Sequence, residues 1–425
     1  ASKIGRPCIN IFYGMGSKYL NPMNDTSTPL RPAQTSRGYY TFLVVYLVVL
    51  SALGSFVNDM YTPSLPAMCR FFSCSVSTGQ LGLTMGMIGL GLGQILMGPI
   101  SDRYGRKPVH VSSCSLFIVA AVVSVFSPTI HFFLGCRLFQ EMGAAGGNFL
   151  ARTIPADIFH GRDLAKLMAI VGAINGVAPA SAPMIGGVIA DWKGWKGVFV
   201  VLAIFAFLVL LLSAKLKESL LKKDRTQDAW FKSFGGYLLL LRNKPFMIHV
   251  TLKGCSSGLL FAYISSAPFI LEDHYGLSQT VYGVAIGCNA ILGAVGSMIS
   301  LKFKPFKKAV AIAAVILAVA VTGQATALWT IHNFWVYEVF AVVMLFALGM
   351  IFSVSNTLAM NEGRQRAGEA SAILGVAGYV VGAIVAPLVG LGNVFHSTAI
   401  VFVALMVCIV TMSVLSSRLA PDLDN

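Results

Sequence analysis

Twelve apolar stretches recur along the chain, near residues 41–60, 79–100, 109–127, 132–151, 167–190, 197–214, 247–271, 280–300, 309–330, 334–357, 370–392 and 397–416. A helix needs about 20 apolar residues to cross a hydrocarbon core, and each stretch is close to that length. The pattern predicts an all-α integral membrane protein with twelve transmembrane helices. Composition agrees: 56% of the 425 residues are hydrophobic and 11% are charged, with a mean hydropathy of +0.76. A soluble domain carries about 25% charged residues.

The net charge of +14 raises nucleic acid as a partner, and the placement of the bases excludes it. With both termini cytoplasmic, 26 of the 31 Lys and Arg fall in cytoplasmic segments. Arg70, Lys193 and Lys196 fall outside, and Arg137 and Lys253 fall within spans. The opposite orientation would invert the positive-inside rule, so the basicity records topology, with the lipid bilayer as partner. The first 40 residues hold no apolar run, so the first span is expected to serve as the insertion signal. Met23 reads like a natural start, and the tail before the first span is expected to be disordered.

The longest polar interruption divides the spans six and six. This predicts a cytoplasmic N-terminal tail (1–40), a six-helix bundle (41–214), a cytoplasmic linker (215–246) rich in bases, a second six-helix bundle (247–416) and a cytoplasmic C-terminal tail (417–425). Two six-span halves suggest internal duplication. Gly98 near the end of span two and Gly296 near the end of span eight support a faint repeat. Within the linker, Trp230–Phe234 and Tyr237–Leu241 read either as an amphipathic helix on the membrane surface or as a solvated connector.

The eight cysteines are scattered, mostly within spans, and Cys69 and Cys74 share an external loop where a disulfide is one reading. Neither cysteines nor histidines show metal-site spacing, so no metal or cofactor is expected. The seven histidines, at 110, 131, 160, 249, 274, 332 and 396, are dispersed. That argues against a membrane enzyme, and no appended soluble domain suggests a receptor.

Three acids fall within the spans: Asp59, Glu141 and Glu338. An intramembrane charge is expensive unless paired or wetted, which makes each a functional candidate. Arg137 and Glu141 are four residues apart and share one helix face, so they can pair, for function or for neutrality alone. Asp59 lies near the outer end of its span, where water is an alternative explanation. Glu338 and Lys253 are shallow enough to be interfacial, Lys253 by snorkelling. Asn175, Tyr263, Asn289 and Tyr379 lie toward the middle of spans five, seven, eight and eleven; with Asn58 they are the candidate substrate contacts. Helix-to-helix hydrogen bonding is the commoner use of an intramembrane Asn.

Residues 98–108 read Gly-Pro-Ile-Ser-Asp-Arg-Tyr-Gly-Arg-Lys-Pro. A loop that only fixes topology accounts for the bases, but not for Asp102 and the glycines at this spacing. The segment resembles the Gly-x-x-x-Asp-Arg-x-Gly-Arg-Lys motif between helices two and three of the major facilitator superfamily. By that resemblance Gly98, Asp102, Arg103, Gly105, Arg106 and Lys107 form a conformational latch. Asp102 would face a helix start near Ala370, and a loop arginine would pair with Asp157.

Further matches narrow the branch. Asp59-Met60-Tyr61-Thr62-Pro63-Ser64-Leu65-Pro66 is similar to the helix-one segment of bacterial drug–proton antiporters of the Bcr/CflA type. Pro179, Pro183, Gly186 and Gly187 match the helix-five antiporter pattern, in which prolines bend the helix and glycines admit a close neighbour. Arg137-Leu138-Phe139-Gln140-Glu141-Met142-Gly143 is similar to the helix-four motif, with Glu141 where the family has glycine.

The resemblance covers nearly the whole chain from about residue 38. It implies a major facilitator fold of two pseudo-symmetric six-helix bundles. It further implies proton-coupled efflux of small, largely apolar drugs or metabolites by a monomer in the bacterial inner membrane, with Asp59, Arg137 and Glu141 coupling protons. An importer or facilitator of an organic solute, or a dedicated metabolite or siderophore exporter, stays open as an alternative.

Overall fold

The computed structural model describes residues 37–159, 161–222, 225, 235–300, 302–303, 305–331 and 333–419. The tail before residue 37, the Trp230–Phe234 stretch of the linker and the end from 420 onward lie outside the described residues.

Several long helices begin where a short polar side chain can cap exposed amides. Ser75 Oγ accepts from the Thr78 amide at 3.2 Å, and Thr129 Oγ1 from the Phe132 amide at 3.3 Å. In the second half, Asn243 Oδ1 accepts from Phe246 at 3.3 Å, and Asn333 Oδ1 from Trp335 at 3.0 Å. The first four long helices are α1 (Arg37–Asp59), α2 (Val76–Tyr104), α3 (Arg106–Val125) and α4 (Ile130–Ile158).

The helix that follows, Gly161–Leu212, runs for 52 residues and departs from helical geometry at Gly194 (φ 68°, ψ −178°). Its two arms, 161–193 and 195–212, are α5 and α6. The sequence predicts a loop there, and one glycine in the left-handed region provides the whole turn. The second half comprises α7 (Lys244–Pro268), α8 (Gln279–Ser300), α9 (Phe306–Thr326), α10 (Phe334–Glu362), α11 (Ala367–Leu388) and α12 (Val394–Leu419). Among the described residues, ten helices are long and apolar enough to cross a membrane, α5 and α6 counting there as one. The more polar α4 joins them, so the twelve expected spans are all present as helices.

Each half has its own apolar core. One gathers Leu47, Leu50, Phe117, Phe133, Phe199 and Leu202; the other gathers Leu259, Ile270, Leu317, Met344, Leu348 and Phe402. The internal repeat is visible in register. Helices α4 and α10 both contain 29 residues, and each packs on the preceding glycine-bearing helix, α2 or α8. A Cβ at Gly93 would meet Met142 O of α4 at 2.8 Å, and one at Gly296 would collide with the Phe346 backbone of α10. Both are the eighteenth residue of their helix. Gly98, by contrast, has only the Phe149 ring at 3.8 Å. The close approach lies five residues earlier, at Gly93.

The halves meet along two seams, α5 against α8 and α2 against α11. The linker adds a short helix, Gly235–Leu241, with Leu240 buried and Leu238, Leu239 and Leu241 exposed.

Candidate functional site

The most buried charges belong to α4. Arg137 and Glu141 are both 0% exposed, and Arg137 Nη2 donates to Glu141 Oε1 at 2.6 Å. Nη1 of the same guanidinium donates to Gln140 Oε1 at 2.6 Å. Nη2 also reaches the Val57 carbonyl of α1 at 3.4 Å. The guanidinium carbon stands 4.3 Å from the centroid of the Tyr61 ring. Sequence makes room for this cluster at Gly86 of α2, where a Cβ would come within 3.1 Å of Glu141 Cγ and 3.2 Å of Arg137 Nη2. Glu141 Oε2, Arg137 Nε and Gln140 Nε2 are buried without hydrogen-bond partners among the described residues. A buried pair with spare polar atoms can change partners when a proton or ligand arrives.

Asp59 closes α1 next to this cluster. Its carboxylate accepts from Asn58 Nδ2 at 3.2 Å, and its backbone carbonyl accepts from Thr62 Oγ1 at 2.8 Å. The structure thus spends the Asn58 amide on Asp59.

At the other end of α2 the charged turn is a compact network. Gly105 (φ 102°) makes the corner between α2 and α3. Arg106 Nη1 donates to Asp102 at 2.5 Å and to Ser101 Oγ at 2.6 Å, and its Nε donates to Asp157 Oδ2 at 2.9 Å. Asp157 also accepts from Ser219 at 2.8 Å. Asp102 therefore faces Arg106 of its own turn, whereas Ala370 packs against Gly363. Arg103 is exposed, 5.7 Å over the Tyr104 ring, and Lys107 Nζ donates to the Ala214 carbonyl at 3.2 Å. One participant was missed from sequence: Glu218 of the linker accepts from the Arg106 amide at 2.8 Å and the Lys107 amide at 3.2 Å. The free amides opening α3 are what recruit it.

The helix-five pattern lies on the seam. A Cβ at Gly186 would collide with the Met60 carbonyl, and one at Gly187 with Gln279 at the start of α8. The Pro183 carbonyl faces Gly283, and Ala180 faces Gly287. Pro179 lies one turn from Pro183 within the same helix. Hydrogen bonds joining the halves gather at this end, away from the basic loops. Thr280 donates its amide and hydroxyl to Asp191 at 2.9 and 2.6 Å, and Arg70 pairs with Asp273 at 2.6 Å. Ser77, Gln80 and Thr84 of α2 donate to the carbonyls of Pro387, Ser265 and Ala383 at 2.9–3.0 Å.

Several sequence expectations change. Glu338 is not simply interfacial: Asn289 Nδ2 donates to its Oε1 at 2.6 Å and also reaches the Tyr263 hydroxyl at 2.9 Å. Tyr263 and Asn289 are 1% and 2% exposed, so both are buried, Asn289 engaged with Glu338 and Tyr263 with Asn289. Lys253 does not snorkel to the surface; its Nζ donates to Asn356 Oδ1 of α10 at 2.9 Å. The α7 helix continues through a π-helical turn, Phe269–His274, which adds Glu272 and Asp273 to the acids of the spans. The Cys69 and Cys74 thiols are free. Tyr379 is partly buried on α11, its ring 6.4 Å from that of Phe261. The Asn175 side chain lies outside the described residues.

Comparison with known proteins agrees with this architecture. The family model described as Major Facilitator Superfamily matches residues 47–387. The "Uncharacterized MFS-type transporter YdgK" of Bacillus subtilis (strain 168) is 35% identical over 370 residues, 86% of this chain and 91% of that protein. The "Bicyclomycin resistance protein homolog" of Haemophilus influenzae is 25% identical over 82% of this chain and 89% of its own length. The "Chloramphenicol resistance protein" of Pseudomonas aeruginosa is 30% identical over 58% of each chain. Among solved structures, a bacterial homolog of the human lysosomal transporter Spinster superposes with a TM-score of 0.75 at 17% identity, covering 90% of this chain and 98% of that one. The chain is a multi-pass membrane transporter, not an enzyme, and it belongs to the Major Facilitator Superfamily, with relatives of the Bcr/CflA drug-transporter type.

Proposed function

We propose that this transporter exports small drugs or metabolites across the bacterial inner membrane in exchange for protons, working as a monomer with both termini cytoplasmic. The observation that carries the reading is the buried Arg137–Glu141 pair, with an unpartnered carboxylate oxygen, beside Asp59 at the end of α1. The resistance proteins among the relatives support drugs as cargo.

A proton entering from outside neutralises Asp59 or Glu141 and weakens the hold of the acid on Arg137. Arg137 is left a buried cation without its counter-charge and must find a new partner, which favours return to the state open to the cytoplasm. Cargo arriving from the cytoplasm promotes deprotonation, and the cycle repeats. Inter-half bonds at the end away from the basic loops fit a state open toward the cytoplasm. In it the Asp102–Arg106–Asp157 network is held within the first half and its linker, free to engage the second half when the basic end closes.

Expression in an efflux-deficient bacterial host tests the reading. Tolerance to chloramphenicol or another antibacterial should rise, and Asp59→Asn or Glu141→Gln should abolish the gain at equal membrane abundance. Unchanged tolerance to every compound would point instead to a dedicated metabolite transporter.

A further inference from the structure

Two cations stand in the cleft without acids. Arg152 is the twenty-third residue of α4 and Asn356 the twenty-third of α10, so the repeat puts them at equivalent positions on the two halves. Asn356 holds Lys253 of α7 by the 2.9 Å bond from Nζ. Arg152 and Asn356 are exposed and Lys253 is partly buried. The guanidinium of Arg152 lies within electrostatic reach of Lys253 and Tyr379, both of the second half. Among the described residues neither cation forms an ion pair with a carboxylate.

At 1.5 Å per residue, Arg152 and Asn356 lie about 9 Å from the ends of their helices and Lys253 about 13 Å. That depth is well below the charged turn at Asp102 and Asp157. Two like charges from opposite halves repel, and the cost grows as the halves close over them and exclude water. An occupant of opposite sign would remove it. The surroundings add apolar surface, since Tyr379 and Phe261 pack beside Met87 and Gly382.

We propose that Arg152 and Lys253 form an anion site that receives the carboxylate or phosphate of an otherwise apolar molecule, with Asn356 orienting the lysine. Arginine offers a planar fork matched to such groups, and lysine offers a point charge. An anion bridging the two cations draws the basic ends of the halves together, which couples occupancy to closure. The proposal deepens the export reading by assigning its cargo to amphipathic organic anions.

The test uses the purified full chain in neutral detergent, with 1-naphthoate and its uncharged amide as probes and thermal unfolding as readout. The carboxylate should raise the unfolding midpoint and the amide should not. Arg152→Gln and Lys253→Gln should each weaken the carboxylate effect by about tenfold or more, in keeping with loss of a charge-assisted contact, while remaining folded. Equal shifts from acid and amide, no shift from either, or unchanged affinity in both variants would overturn the site. A lipid headgroup could supply the same chemistry, so phosphatidylglycerol is compared with phosphatidylcholine. Stabilisation by phosphatidylglycerol alone would overturn a cargo role. Host tolerance separates the two claims: if no compound is exported, the export reading falls, while the midpoint shift still decides the anion site.

Discussion

Each half carries an acid on a 29-residue helix, the buried Glu141 on α4 and the partly buried Glu338 on α10, and the two are treated in opposite ways. Glu141 meets a guanidinium at 2.6 Å, inside a cage of α1, α2 and α4. Glu338 meets an amide and, through it, a phenol, contributed by α8 and α7, with no Lys or Arg paired to it among the described residues. Duplication therefore kept the helix framework and divided the chemistry. One half holds a charge pair whose balance a proton can upset, and the other holds an acid that accepts from a neutral amide. The first arrangement can couple protonation to motion because the arginine must find a new partner when its acid is discharged.

Replacing residues of the two clusters should expose this asymmetry. The largest effect is expected for Arg137→Ala, which strands Glu141, removes the bond to Gln140 and empties the space over Tyr61. Detergent-solubilised protein should lose about 3–5 kcal/mol of stability together with transport. Glu141→Gln keeps an oxygen facing Arg137 and leaves the guanidinium without a counter-charge. Its cost should fall near 3 kcal/mol, visible as a lowered unfolding midpoint. In the second half, Tyr263→Phe removes one hydrogen-bond acceptor from Asn289 and should cost about 0.5–1.5 kcal/mol. The smallest effect is expected for Glu338→Gln, which retains an acceptor for Asn289 and strands no cation. Its stability should stay within about 1 kcal/mol of the parent or rise. Equal losses for the two Glu→Gln variants would erase the contrast.

Much of the fold was legible because membrane helices declare themselves by length and apolarity. The Arg137–Glu141 pair was legible too, since four-residue spacing on one helix implies contact. Other features depend on tertiary placement. Glu338 looked interfacial because its depth was counted along α10 alone, while the bond to Asn289 comes from a different helix. Lys253 was read as a snorkelling base, whereas its bond to Asn356 depends on how α7 packs against α10. Glu218 was hidden because a linker glutamate gives no sign in sequence of which helix start it will cap.

Gradient-driven transport in liposomes tests the central claim most directly. Wild-type and Glu141→Gln protein are reconstituted separately, and a drug exported in the host assay is followed with and without an imposed proton gradient. The account predicts that wild-type protein moves the drug against its concentration only when the gradient is present. The variant should exchange drug across the membrane without being driven by the gradient. Uphill transport by Glu141→Gln at the wild-type level, or wild-type transport indifferent to the gradient, would contradict it.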